Sequence, residues 1–295
     1  MRICRRAEEL TPFFGGEFVP TMGALHEGHL ALVRRAKRER GITVVSIFVN
    51  PTQFGPGEDF EDYPRREEQD LRLLEKEEVD AVFLPRKEEV YPEDFATTVR
   101  VDRRLTGVLC GKYRPGHFDG VTTVVARLFG LVKPKRAYFG WKDAQQLIVV
   151  KKMVEDLALG IEIVPVETVR EADGLALSSR NAYLDAEQRR RAAGIFRALS
   201  AGRGLAERGS CRAGDLLRRV REFLERDDLS PQYLELRTVK NLEEIRSDSV
   251  LEAAPDGEEL LLATAVPLGK ARLIDNLRFR AKIIRRTPAF EGERK

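Results

Sequence analysis

Short apolar runs alternate with longer amphipathic stretches along the first half of the chain. The run from Ile42 to Val49 is rich in β-branched residues, which is typical of a strand buried on both faces. The amphipathic stretch from Asp143 to Leu159 is followed by Gly160, which favours a helix that ends there. The predicted strands are 17–20, 42–49, 81–84, 137–139 and 161–166, and the predicted helices between them are 28–37, 65–76, 121–132 and 143–159. Strands separated by helices in this way predict a parallel α/β sheet built from βαβ units.

The pattern changes after about Val169. Two amphipathic helices rich in Arg and Leu are predicted over 186–207 and 212–226, followed by strands with polar turns over 233–236, 260–265 and 271–275. We therefore predict two domains, an α/β domain over 1–168 and a smaller α+β domain over 169–295. The basic tail from Arg278 to Lys295 is expected to be a solvated surface strand or a frayed end rather than a binding arm.

Composition narrows the function classes. The chain has 295 residues, and its 51 basic and 48 acidic side chains leave a net charge of only +3, which gives no argument for nucleic acid or a membrane as partner. The three cysteines are far apart and form no C-x-x-C pair, so neither a structural zinc site nor a disulfide framework is expected. An apolar leader is lacking, and no apolar run has the length of a membrane span. We expect a cytoplasmic protein.

Two of the three histidines lie in one turn, in the segment P-T-M-G-A-L-H-E-G-H-L from Pro20 to Leu30. The turn joins a predicted strand to a predicted helix, where free N–H groups and the helix dipole favour an anion such as phosphate. His26 and His29 are three residues apart and share a helix face. The alternatives are that one histidine caps the helix while the other is exposed, or that the pair binds a metal, for which a third ligand is missing.

Polar side chains also follow two other predicted strands. Asn50 and Gln53 come directly after the strand at 42–49, at the edge where open α/β sheets bind ligands, although Asn-Pro is also an ordinary turn sequence. Lys142 lies in a later strand-to-helix turn, where its ammonium can meet a phosphate. Asp143 and Gln146 have nearly the spacing of a capping box, which would be a structural role for Gln146.

Two further segments carry candidate chemistry. The segment D-G-L-A-L-S-S-R-N, from Asp173 to Asn181, suits a loop that closes on phosphates, or else a linker with a helix cap. Arg114 is a candidate anion ligand, and His117 beside it is equally consistent with a structural residue. The long loops at 51–64 and 87–95 are expected to be functional.

Taken together, these segments resemble the pantothenate synthetase (pantoate–beta-alanine ligase) family over nearly the whole chain. The resemblance rests on P-T-M-G-A-L-H-E-G-H, S-I-F-V-N-P-T-Q-F-G, R-P-G-H-F-D-G-V, F-G-W-K-D-A-Q-Q-L, D-G-L-A-L-S-S-R-N and R-L-I-D-N, in that order. One departure is Trp141, which stands where the family usually has Glu.

The resemblance implies a Rossmann-like N-terminal sheet and a smaller C-terminal domain that closes over the active site. The implied reaction is ATP-dependent condensation of pantoate with beta-alanine through pantoyl adenylate, releasing pyrophosphate and AMP. ATP is a substrate, Mg²⁺ is required, and a homodimer with small-molecule substrates is expected, without nucleic acid, membrane or protein metal ligands.

Site residues follow from the resemblance position by position. Catalytic roles are implied for His26, His29, Lys142 and Arg180, with His29 as proton donor and all four supplying positive charge near the phosphates. Pantoate binding is implied for Gln53 and Gln146, and substrate binding for Arg114. Asp70 is expected to approach the magnesium-bound phosphates without ligating the metal. The implied ATP site comprises Met22, Gly23, Ala24, Leu25, His26, Glu27, Gly28, His29, Gly140, Trp141, Lys142, Asp143, Val169, Leu177, Ser178, Ser179 and Arg180.

Two alternatives remain at this point. Another adenylyltransferase would transfer AMP to a different acid or phosphate ester, and the pair Gln53 and Gln146 argues against it. A non-catalytic nucleotide-binding module would keep the fold without the reaction, and the presence of all the charged and hydroxyl side chains argues against that.

Overall fold

The computed structural model describes residues 1–284, so most of the basic tail, 285–295, lies outside the described residues. The chain divides into two compact units, Met1–Tyr183 and a second that begins at Leu184. The segment 169–183, which the sequence placed in the second domain, therefore belongs to the first unit.

A six-stranded sheet forms the centre of the first unit, and every neighbouring pair of strands is parallel. The spatial order is β1-β4-β3-β2-β5-β6. This confirms the predicted Rossmann-like sheet. The strands are β1 (Arg2–Cys4), β2 (Glu17–Thr21), β3 (Thr43–Ile47), β4 (Ala81–Phe83), β5 (Arg136–Gly140) and β6 (Glu162–Val166).

Helices connect these strands. They are α1 (Glu27–Lys37), α2 (Glu67–Lys76), α3 (Lys87–Val90), α4 (Arg103–Thr106), α5 (Leu109–Tyr113), α6 (His117–Val132) and α7 (Ala144–Asp156). The helix predicted over 121–132 begins four residues earlier, at His117. The short elements β1, α3, α4 and α5 were not predicted, since three to five residues are too few to show a periodicity.

The core on one side of this sheet joins α1 and α2 to the central strands. Val19, Val45 and Val82 come from three adjacent strands and pack in one cluster with Val33 of α1 and Leu74 of α2. All five are at most 1% exposed. This buried packing against α1 and α2 fixes the positions of β2, β3 and β4 and of their carboxyl ends.

The second unit is an α+β arrangement, as predicted. Its helices are α8 (Ala186–Ala192), α9 (Gly194–Glu207) and α10 (Ala213–Arg226), and its strands are β7 (Ser210–Arg212), β8 (Tyr233–Thr238), β9 (Val250–Leu268) and β10 (Ala271–Ile284). The strands pair antiparallel around β9. The single helix predicted over 186–207 is two helices that meet at Ala193, and β9 and β10 form a much longer hairpin than predicted.

The strand order of the first unit determines where a ligand site is expected. The chain runs from β2 outward through β3 to β4, then returns to β5 and β6 on the other side, so the strand order reverses between β2 and β5. A crevice at such a reversal, outside the carboxyl ends of the strands, is where open α/β sheets bind ligands. The turn after β2 and the segment Trp141–Asp143 after β5 lie there.

In the described residues, every helix is too short or too polar to span a membrane.

Candidate active site

A cavity of about 230 Å³ lies at this reversal point, and all of its lining residues belong to the first unit. It brings together most of the site residues that the resemblance implied. All three histidines of the chain line it. The implied residues that line it are Met22, His26, Gly28, His29, Gln53, Arg114, Gly140, Lys142, Asp143, Gln146, Val169, Leu177, Ser178, Ser179 and Arg180.

Five implied residues are not part of the cavity lining: Gly23, Ala24, Leu25, Glu27 and Trp141. The first three are buried behind the cavity wall, and Glu27 is exposed on α1, where it forms an ion pair with Arg34. Trp141 begins a one-turn 3₁₀ helix beside the cavity. The implied ATP segment at 22–29 thus contributes four separate residues, Met22, His26, Gly28 and His29, rather than a continuous surface.

The histidine turn is a helix cap built from imidazoles. His26 Nδ1 accepts a hydrogen bond from the Gly28 N–H at 3.1 Å, and His29 Nδ1 accepts one from the His26 N–H at 3.3 Å. The capping alternative is therefore confirmed for His26, while His29 is partly buried rather than exposed. The ring centroids are 4.1 Å apart. Since both Nδ1 atoms are acceptors, each neutral ring carries its proton on Nε2.

The pKa of each of these histidines is far below its ordinary value. Burial lowers the pKa of His26 to about 4, and the charge of Lys142 lowers it further against the opposing effect of Asp143. Burial also lowers the pKa of His29 to about 3, helped by His26 and Lys142. Both rings are therefore neutral at pH 7, and each can donate a hydrogen bond through Nε2. Lys142 and Arg180 supply the cations of the cavity lining, and the expectation that the two histidines add positive charge beside bound phosphates stays a prediction.

A buried carboxylate holds the turn that precedes the histidines. Asp70 on α2 is 1% exposed, and its two oxygens accept the N–H groups of Ala24 and Leu25, each at 2.8 Å. Gly23 has a φ of +80°, and a Cβ there would lie 3.0 Å from Asp70 Oδ2, so the turn requires glycine. Asp70 does not line the cavity, so its observed role is to hold this turn, and its approach to bound phosphates stays a prediction.

An ordered amide pair lies after β3. Asn50 Nδ2 donates to the Gly120 carbonyl at 3.2 Å and to Gln53 Oε1 at 3.1 Å. Asn50 Oδ1 accepts from Thr52 Oγ1 at 3.0 Å and from the Tyr91 hydroxyl at 2.9 Å. These partners determine the orientation of both amide groups. Gln53 therefore directs its donor atom, Nε2, toward Met22 and the cavity.

Lys142 and Gln146 enter the cavity from the segment after β5. The Asp143 side chain makes no capping hydrogen bond at the start of α7, so the structural alternative for Gln146 is wrong. Gln146 lines the cavity instead. Lys142 Nζ lies 3.6 Å from an Asp143 carboxylate oxygen.

One face of α6 forms an apolar wall that sequence reasoning missed. Val121, Val124, Val125 and Leu128 line the cavity and recur at the i, i+3, i+4, i+7 spacing of a single helix face. The same spacing is expected of a helix that packs into a core, so the sequence alone does not distinguish the two. Phe48, Phe54, Tyr63, Tyr138 and Phe139 add aromatic surface and were likewise not singled out.

Both arginines of the cavity are paired with carboxylates of the long loop at 51–64. Arg180 donates to the two oxygens of Asp59 at 3.0 and 2.8 Å, and Arg114 donates to the two oxygens of Glu58 at 2.7 and 2.5 Å. In each of these four groups, only 17–26% of the side chain is exposed. The acidic positions 58 and 59 were not predicted, although the loop itself was expected to be functional.

Within residues 1–284, no three His, Cys, Asp or Glu side chains are grouped so that they could hold a metal ion. A Mg²⁺ ion that accompanies nucleotide phosphates needs only one or two protein carboxylates, because phosphate oxygens and water complete its shell. Asp143 and Glu167 both line the cavity. The donor set therefore fits an ion bound mainly by phosphates.

A model of the pantoate–beta-alanine ligase family matches residues 8–278. The chain belongs to this family. The pantothenate synthetase of Caldicellulosiruptor bescii is 51% identical to it over 265 residues, which cover 90% of this chain and 91% of that protein. The family resemblance and the expectation of a ligase are thus confirmed.

Solved structures of the family agree with the fold. The pantothenate synthetase of Thermus thermophilus is 49% identical and superposes with a TM-score of 0.87, covering 94% of this chain and 99% of that one. The pantoate–beta-alanine ligase of Francisella tularensis, described as complexed with beta-gamma ATP and beta-alanine, is 31% identical, with a TM-score of 0.74 and coverage of 94% and 97%.

Proposed function

We propose that this cavity condenses pantoate with beta-alanine at the expense of ATP, through a pantoyl-adenylate intermediate. The observation that carries the proposal is one cavity, at the strand-order reversal, that combines phosphate-binding groups with amides and an apolar wall. A pantoate–beta-alanine ligase of the same fold is described with an ATP form and beta-alanine bound, which supports both ligands here.

The phosphate groups of ATP lie against His26, His29, Lys142 and the loop from Ser178 to Arg180. Lysine and arginine provide the cations, and the two imidazoles provide Nε2–H donors. A bound triphosphate favours the protonated form of a nearby imidazole, so ATP raises the pKa of His26 above about 4 and the pKa of His29 above about 3. His29 then acts as the proton donor to the departing pyrophosphate.

Pantoate lies between the amides and the apolar wall. Its carboxylate and hydroxyl groups are matched by Gln53 and Gln146, since amide side chains both donate and accept. Its dimethyl-substituted carbon is matched by the valine face of α6. Arg114 is held by Glu58 and contributes to substrate binding at the same end of the cavity.

Two steps follow from this arrangement. A pantoate carboxylate oxygen attacks the α-phosphorus, forming a new P–O bond while the bond to pyrophosphate breaks. The amine nitrogen of beta-alanine then attacks the activated carbonyl carbon, the C–O bond to AMP breaks, and the nitrogen loses a proton. The residues bind and orient the reactants, and no protein nucleophile is required.

Mg²⁺ would be held by the ATP phosphates with Asp143 or Glu167, and it would supply charge neutralisation of the triphosphate. A homodimer, a cytoplasmic location and closure of the C-terminal domain over this site are kept as predictions from the family resemblance.

Arg180 must exchange partners during this cycle. In the structure, its guanidinium donates to both carboxylate oxygens of Asp59. Since a guanidinium binds phosphate in the same bidentate geometry, ATP competes with Asp59 for Arg180. When the nucleotide binds, the loop at 51–64 then loses its ion pair between Asp59 and Arg180 with the Ser178–Arg180 loop.

Pantoate-dependent exchange of labelled pyrophosphate into ATP tests the first step by itself. We expect exchange in the native protein and a loss of about 10²–10³-fold in His29→Ala, the usual cost of removing one preorganised donor. Arg38→Ala, at the exposed end of the same helix, is the matched control and should exchange at the native rate. Exchange that another acid supports but pantoate does not would favour a different adenylyltransferase.

A further inference from the structure

His117 is the third histidine of the cavity, and both of its ring nitrogens have partners. Nδ1 lies 2.8 Å from the main-chain carbonyl oxygen of Gln53, and Nε2 lies 3.1 Å from Nη1 of Arg114. The ring also packs edge-on against Phe118, with the centroids 4.9 Å apart. The family resemblance gave this histidine no role.

The two partners fix the tautomer of the ring. A guanidinium has only donors, so Nε2 must accept from Arg114 and carries no proton. A carbonyl oxygen has only lone pairs, so Nδ1 must carry the proton and donate to Gln53. His117 is therefore the neutral Nδ1–H tautomer, the opposite of His26 and His29, whose Nδ1 atoms are acceptors.

The surroundings of the ring oppose a second proton. Burial and the Arg114 charge lower the pKa of His117 to about 4, against the smaller opposing effects of the Gln53 carbonyl, Glu58 and Asp143. A proton on Nε2 would face the Arg114 guanidinium directly. The His117 ring is therefore uncharged near pH 7, where it bridges the Gln53 carbonyl and the Arg114 guanidinium.

This bridge belongs to a closely packed junction between α6 and the one-turn 3₁₀ helix Pro51–Gln53. A Cβ on Gly120 would lie 2.3 Å from the Thr52 carbonyl oxygen and 2.7 Å from Gln53 Cα, so the two backbones touch. Arg114 Nη2 also approaches the Gln53 carbonyl at 3.3 Å. The main chain of Gln53 is thus held by Gly120, Arg114 and His117 together.

We propose that His117 is a positioning residue that fixes the main chain of Gln53 through its Nδ1–H group and orients Arg114 through Nε2. By doing so it sets where the Gln53 amide meets the carboxylate-bearing substrate. The proposal rests on the proposed function for the identity of that substrate, pantoate, but the tautomer does not depend on it.

Two near-isosteric variants separate the two ring nitrogens. Asparagine places its amide nitrogen near Nδ1, so His117→Asn keeps the hydrogen bond to the Gln53 carbonyl. Glutamine reaches the position of Nε2, so His117→Gln keeps only the contact with Arg114. We expect His117→Ala to raise KM for pantoate about tenfold, by loss of one hydrogen bond of about 1.4 kcal/mol.

The pattern among the variants tests the proposal. We expect His117→Asn to recover most of the affinity for pantoate, His117→Gln to recover little of it, and KM for ATP to stay within twofold in all three. Equal KM values for pantoate in the alanine and asparagine variants, or a KM for ATP that rises as much, would overturn the positioning role.

Imidazole ¹⁵N spectra of the native protein at pH 7 give a test that needs no activity. With three histidines in the chain, each can be assigned from one substitution. We expect the signal of one neutral ring protonated on Nδ1, and this signal should disappear in His117→Gln. The signals of the other two rings, those of His26 and His29, should show protonation on Nε2. A His117 ring protonated on Nε2 would overturn the proposal, whereas a native protein with this spectrum but without ligase activity would overturn only the proposed function.

Discussion

Asp70→Asn tests how much the histidine turn depends on a residue outside the cavity. The native carboxylate accepts two N–H groups at 2.8 Å each, from Ala24 and Leu25. An asparagine of the same shape keeps one oxygen and turns an NH₂ group toward the other N–H. One charge-assisted hydrogen bond is lost, the other becomes a neutral one, and a buried donor loses its acceptor.

The magnitude follows from these contacts. A hydrogen bond to a charged group is worth about 1.5–3 kcal/mol and an unsatisfied buried donor costs about 1–3 kcal/mol. Burial raises the pKa of Asp70, so the variant regains part of this by removing a desolvated charge. We expect a net loss of about 2 kcal/mol in the free energy of unfolding of the first unit, or about 4–8 °C in its melting temperature.

Activity gives the second readout. The turn leads directly into His26, and displacement of a positioned group by about 1 Å can cost on the order of a hundredfold in rate. We expect kcat/KM for ATP to fall at least tenfold in Asp70→Asn, with the Mg²⁺ concentration for half-maximal activity unchanged, because Asp70 does not line the cavity.

Asp102→Asn is the matched control, since Asp102 is an exposed helix cap that asparagine replaces well. Thermal unfolding followed by circular dichroism, together with the exchange assay, compares the two variants. Native stability and native kinetics in Asp70→Asn would refute the claim that Asp70 holds the turn. A changed Mg²⁺ requirement would instead return Asp70 to the phosphate end of the site.

The lowered histidine pKa values predict a loss of stability on mild acidification. Each histidine binds a proton near pH 6.5 in the unfolded chain, but only near pH 4 or 3 in the folded protein. The stability that is present above pH 6.5 is therefore lost as the pH falls toward 4. The free energy of unfolding, measured in urea between pH 7.5 and 5.5, should fall with a slope that approaches about 1.4 kcal/mol per pH unit for each histidine. The slope should be shallower in His117→Gln. A free energy of unfolding that does not change with pH would contradict the assigned neutral rings. Asp59→Asn should lower KM for ATP about two- to tenfold by freeing Arg180 from its bidentate partner, as measured by initial rates. Glu61→Gln, an exposed change in the same loop, should leave KM unchanged, and a raised KM in Asp59→Asn would mean that the pair holds Arg180 in its working position.

The parallel sheet and the site segments could be predicted because their evidence is local. The apolar run at 42–49 contains the fully buried strand Thr43–Ile47, and the polar residues after the run fall at the sheet edge that βαβ connections put in one place. A capping role for one of the two histidines was also among the local alternatives, because the pair lies at the predicted start of a helix, and the structure assigns that role to His26.

What could not be predicted depends on partners far apart in the chain. The carboxylate of Asp70 lies 46 positions from the N–H group that it accepts, and Asp59 lies 121 positions from Arg180. A charge pattern does not show which acidic side chain will meet which arginine. The valine face of α6 was missed for another reason, because an apolar helix face is the same in sequence whether it meets a core or a ligand.

Product analysis of the complete reaction tests the central claim most directly. The native protein is incubated with Mg²⁺, ATP and pantoate, with and without beta-alanine, while AMP, pyrophosphate and pantothenate are measured. Multiple turnovers to AMP and pantothenate in equal amounts, only when beta-alanine is present, are the predicted result. ATP cleavage that is indifferent to pantoate and beta-alanine, or no cleavage at all, would contradict the account.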